Sequence, residues 1–75
     1  MRRALHSIEI QKTEFLNSHG HDPRGRGCWL FEFLRDGEVV EGPWGWGWSG
    51  TYTDALKAAK KHARDIGADA INVCP

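Results

Sequence analysis

No apolar run in the 75 residues approaches the roughly 20 that a membrane-spanning helix needs, so no membrane partner is expected. Neither charge is in excess. Ten Lys and Arg balance ten Asp and Glu, which excludes affinity for a polyanion through net charge alone and leaves only a local basic patch for such a ligand. Cysteine is scarce, with Cys28 and Cys74 alone in the chain. One pair is no disulfide framework. The opening Met1-Arg2-Arg3-Ala4-Leu5-His6-Ser7 lacks the apolar stretch of a secretory signal, so both thiols are expected reduced and the chain cytoplasmic. The signature of a disordered chain is missing too, since 40% of the residues are hydrophobic and 27% charged.

What is present reads as one small domain over residues 1–75, with four Trp and three Phe supplying most of the area to bury. Between Leu5 and Leu16, Ile8 and Ile10 alternate with Ser7, Glu9 and Gln11. That period of two predicts a half-buried strand, with a helix competing over Thr13–Leu16. Residues 17–27 carry three glycines and no hydrophobic side chain, which predicts a flexible basic loop. The runs 29–35 and 38–41 flank Asp36-Gly37, the signature of a type I′ hairpin in which both turn residues take positive φ. A two-residue turn would pair Arg35 with Glu38, Phe33 with Val40 and Glu32 with Glu41. Trp29, Phe31, Phe33 and Val40 then form the buried face, while Glu32 and Glu41 lie on the wet side with Glu9. The run Trp44-Gly45-Trp46-Gly47-Trp48 continues this strand and aims its indoles at the same face as Val40.

The helix is written most plainly. Thr51-Tyr52-Thr53-Asp54 matches a capping box in its Asp form. Ala55, Leu56, Ala59, Ala63 and Ile66 make an apolar stripe, and Gly67 sits where a left-handed cap is wanted. Residues 69–74 read as a closing strand. The expected fold is therefore α+β: a hairpin or three-stranded meander, one helix and a final strand (β-β-β-α-β), the helix packed on one sheet face.

Chemistry-bearing residues are sparse. His19, His21 and Cys28 cluster in sequence, but no Cys-x-x-Cys or His-x-x-x-His accompanies them, so no metal and no cofactor are expected. Neither cysteine has a base at a spacing that would activate it, and no enzyme is expected. Lys57, Lys60, Lys61 and Arg64 form an all-positive helical stripe, and Arg24 and Arg26 lie in the glycine loop. The three tryptophans suit either base stacking or a protein anchor, and at least two are expected in the core.

The segment 29–73, with its Arg35-Asp36-Gly37-Glu38-Val39-Val40-Glu41-Gly42 hairpin, Ala-rich helix and short last strand, resembles the build of small phage-encoded anti-CRISPR proteins. The resemblance implies stoichiometric inhibition in the host cytoplasm, by covering a nucleic-acid or nuclease-recruitment surface of a CRISPR-associated effector complex. Trp44, Trp46, Trp48, Glu32, Glu41, Arg24 and Arg26 are the candidate contacts for such a protein partner. The alternative is a small nucleic-acid-binding module using Lys57, Lys60, Lys61 and Arg64. Either a monomer or a homodimer paired through an edge strand fits the pattern.

Overall fold

The computed structural model describes residues 8–75, the Pro43 side chain excepted, so the part of the first strand expected at 5–7 lies outside the described residues. In chain order the elements are β1 (Glu9–Gln11), α1 (Thr13–His19), β2 (Arg26–Arg35), β3 (Glu38–Glu41), a 3-10 turn (Pro43–Gly45), β4 (Gly47–Thr51), α2 (Tyr52–Ile66) and β5 (Ala70–Val73). The fold is α+β, with α2 laid on one face of the sheet. Five strands form it. β5 sits between β1, which it pairs in parallel, and β2, which it pairs antiparallel. β3 and then β4 run antiparallel along β2.

Three elements exceed the expected order: α1, the 3-10 turn and a separate β4, because the Trp44–Trp48 run does not continue β3 but breaks at Pro43–Gly45 and returns to pair with the first half of β2. The alternation of Ile8 and Ile10 ends at Lys12, and the chain turns into α1, so over Thr13–Leu16 the competing helix reading holds rather than an extended strand. Phe15 anchors this short helix, buried against Trp29 at 5.7 Å between ring centroids and stacked on His19 at 4.1 Å. Gly20 stops it in the left-handed conformation, φ 76°, its N–H donating to Leu16 O. A seven-residue helix is too short to show a stripe in the sequence. The expected 17–27 loop is accordingly shorter: His19 belongs to α1, while Arg26 and Gly27 open β2 opposite Thr51 and Gly50.

The turn forms as expected, Asp36 at φ 53° and Gly37 at φ 83°, with Arg35 facing Glu38 and Leu34 facing Val39. Past that point the register shifts. A bulge between Phe33 and Leu34 places Glu41, not Val40, opposite Phe33. One extra residue reverses which face each following side chain takes. Val40 is therefore 40% exposed rather than buried, and Glu41 crosses to the helix side. Glu32 faces Asn72 of β5 rather than Glu41, which removes the expected like-charge pair.

Phe31, Phe33, Ile71 and Val73 are fully buried against Ala55, Ala59 and Ala63. Removing each large side chain from water contributes about 1.5–3 kcal/mol, and the alanines let the helix axis come close to the aromatic layer. Thr51 caps α2, its Oγ1 accepting from the Asp54 N–H at 3.1 Å. Gly67 closes it at φ 76°, its N–H shared between the carbonyls of Ala63 and Arg64. Among the tryptophans of the 44–48 run, only Trp46 packs on this core, against the expectation of two or more. Trp48 is 39% exposed and Trp44 90%. No helix of the described residues is long and apolar enough to cross a membrane.

Candidate functional site

The stretch from β3 to β4 leaves the sheet and returns within a few residues, and this detour builds the most distinctive surface. Trp46 is the inner ring. Its ring centroid lies 5.6 Å from both Phe31, tilted, and Phe33, edge to face, and it stacks with His62 of α2 at 5.8 Å and with Trp48 at 6.2 Å. Both stacks are close to parallel, at 22° and 17°. The Glu41 carboxylate bonds the Nε2 edge of His62 and holds that ring in the stack. Gly45 lies against the same carboxylate, and a Cβ there would stand 2.9 Å from Glu41 Oε2. On the other side of β4, Trp29 Nε1 donates to the Gly50 carbonyl at 3.1 Å and fixes the strand.

This framework presents two surfaces. Trp44 stands out from the 3-10 turn almost wholly in water, four residues after the exposed Val40 of β3. Beyond the Trp46–Trp48 stack lies a shallow groove of about 350 Å³, lined by Trp48, Asp54, Lys57, Ala58, Lys61 and Arg64. Three of the four charged lining groups are cations. Lys61 also approaches Asp65 at 3.5 Å, but both side chains are largely exposed and the pair contributes little.

Of the residues singled out for a protein partner, Trp46 and Trp48 are brought together and Trp44 is set apart from that stack. Glu32 and Glu41 do not share a face. Glu32 Oε1 accepts from Asn72 Nδ2 at 3.0 Å, and Glu14 Oε1 accepts from the same amide at 3.3 Å, while Glu41 is bound to His62 on the helix side. The basic helix side and acidic sheet side drawn from the sequence are thus corrected, because the bulge removes Glu41 from the open face. Arg24 and Arg26 are exposed at the entry to β2, beside the Tyr52 N–H bond to the Gly25 carbonyl. Lys57, Lys61 and Arg64 line the groove; Lys60 is half-buried and lies outside it.

His62 was missed as a site residue, because its partner Glu41 reaches it only through the bulge. Cys28 is exposed on β2, facing Ser49. Burial, and then the nearby Glu32 and Glu14 carboxylates, push the Cys74 thiol up from 9.0 to about 11, against a smaller opposing effect of a backbone bond from Glu32. At neutral pH it is a thiol and a poor nucleophile. Burial, and secondarily Asp22, raise the Tyr52 phenol above its usual range. Among the described residues no three His, Cys, Asp or Glu side chains gather as a metal site, although the rings of His19 and His21 lie 5.9 Å apart. The chain matches no protein-family model, no curated protein and no solved structure.

Proposed function

We propose that this chain is a small non-enzymatic protein-binding inhibitor that acts in the cytoplasm by docking Trp44 into a pocket of its partner. The observation that carries this reading is the 90% exposure of Trp44 on a short turn between two strands. Buried tryptophans are the commonest energetic anchors of protein interfaces, and a free indole in water forgoes the burial of roughly 150–250 Å². The turn is ordered before any partner arrives, by the Gly45 N–H bond to the Gly42 carbonyl at 3.1 Å and by the packing of Gly45 on Glu41. A turn whose backbone is already held spares that part of the entropy cost of binding. Val39 and Val40 are exposed apolar residues of the preceding strand, whereas Arg24 and Arg26 sit at the opposite end of β2 from the strand β3. Glu32 and Glu41 drop out of the contact set, because both are engaged inside the domain.

The resemblance to anti-CRISPR proteins supplies the partner class, a CRISPR-associated effector complex whose nucleic-acid or nuclease-recruitment surface would be covered. Co-expression with an active effector and a targeted plasmid tests this. Plasmid survival should rise by orders of magnitude with the wild-type chain and return to baseline with Trp44→Ala. Survival unchanged by the wild-type chain, across effectors of several types, would remove the CRISPR assignment while leaving protein binding to be judged by direct capture.

A further inference from the structure

The groove beside Trp48 combines two features that the Trp44 reading does not use. One is a flat aromatic surface. Trp48 lies near-parallel to Trp46, its ring centroid 6.2 Å away in an offset stack, and is still 39% exposed. The other is a line of cations, Lys57, Lys61 and Arg64, spaced i, i+4 and i+7 along one ridge of α2 with Asp54 as the single acid in the lining. Seven residues of α-helix rise about 10.5 Å, the length of about three stacked nucleotides at 3.4 Å each.

We infer that this groove binds single-stranded nucleic acid, one base stacking on the outer face of Trp48 and the adjoining phosphates running along Lys57, Lys61 and Arg64. A positively charged track beside an aromatic platform is the physical design of sequence-tolerant single-strand binding, since every base has a π-face and every nucleotide a phosphate. A duplex fits poorly, because its bases are already stacked on one another and cannot reach Trp48. An acidic protein segment would satisfy the lysines and the arginine but gain nothing specific from an indole plane. The open, shallow shape suits a strand laid across it better than an enclosed small molecule. Lys60, half-buried and outside the groove, takes no part, which narrows the basic stripe to three residues.

Fluorescence anisotropy on the full chain tests this, with three labelled probes: a ten-nucleotide oligo-dT, a mixed-sequence duplex of ten base pairs and a ten-residue poly-Glu peptide. At 50 mM salt the oligo-dT should bind at least tenfold more tightly than the duplex or the peptide. Its affinity should fall with salt, and Lys61→Ala should lower the slope of log affinity against log salt by about 0.7. The double reversal Lys57→Glu with Lys61→Glu, on the surface and safe for folding, should cost at least tenfold. Trp48→Leu, which keeps apolar fill against Trp46 but removes the aromatic plane, should cost about tenfold. Trp44→Ala should leave the affinity unchanged, which separates this groove from the proposed protein anchor. Equal binding of all three probes, a poly-Glu affinity matching that of oligo-dT, or oligo-dT binding untouched by the double reversal would each overturn the inference.

Discussion

Three indoles two residues apart, Trp44, Trp46 and Trp48, end in three environments, and their substitution should separate accordingly. Trp46 is wedged between His62, Phe31, Phe33 and Trp48, so Trp46→Ala opens a cavity and should cost about 3 kcal/mol of unfolding free energy. Trp44→Ala, at a site almost wholly in water, should fall within about 0.5 kcal/mol of wild type. Urea titration followed by circular dichroism measures both, and equal losses at the two positions would refute the packing described. Cys74 gives a second residue-scale prediction. Burial and the nearby carboxylates push its thiol up from 9.0 to about 11, so at pH 8 a thiol-alkylating reagent should modify it roughly tenfold or more slowly in the folded chain than in urea. The same shift has a sign for stability. The folded state holds this proton more tightly, so the contribution is complete below about pH 9 and is lost as pH rises from 9.0 towards 11. Cys74→Ala should therefore flatten part of the alkaline decline, while Tyr52, raised in the same direction, keeps the rest.

At the level of elements, α2 rests on two end devices that are separable from its packing. Thr51→Ala removes the acceptor for the Asp54 N–H and should cost about 1 kcal/mol. Gly67→Ala forces a Cβ into the left-handed region at φ 76°, 3.2 Å from Arg35 Nη1, and should cost about as much. Thermal unfolding of the two variants checks both figures. These devices were legible because cap and stop residues act within one turn of chain, as were the Asp36-Gly37 turn and the alanine stripe. The bulge at Phe33 was not. Nothing local to Glu38–Glu41 reports an extra residue, since the register there is decided by Glu41 reaching His62 and by Trp46 filling the space beside Phe33. That single slip misplaced Val40 and Glu41 and hid the role of His62. α1, named only as the competing helix over Thr13–Leu16, stays undecided in the sequence for a different reason: seven residues with one buried anchor, Phe15, carry too little periodicity to choose it over a strand or to show that it runs to His19. The candidate residues themselves were nameable from the sequence. Their grouping was not, because Trp48 joins Lys57, Lys61 and Arg64 only when β4 lies against α2.

For the whole molecule, balanced charge and a small core leave function to local surfaces. Trp44 is the proposed anchor for a protein, and the groove at Trp48, with its three cations and exposed ring, is the proposed seat of a single strand. The surfaces share the β3–β4 detour, so both depend on the Glu41–His62–Trp46 arrangement beneath them. Above all, Trp44 is proposed to anchor a protein partner. The most direct test of that anchor is affinity capture of the tagged chain from a bacterial lysate treated with nuclease, at low and high salt, with Trp44→Ala and the Lys57→Glu, Lys61→Glu double variant run beside wild type. A discrete protein complex should survive nuclease and high salt, persist in the double variant and vanish in Trp44→Ala. The same complex recovered with Trp44→Ala, or no protein complex that survives nuclease and high salt, would contradict the Trp44 anchor.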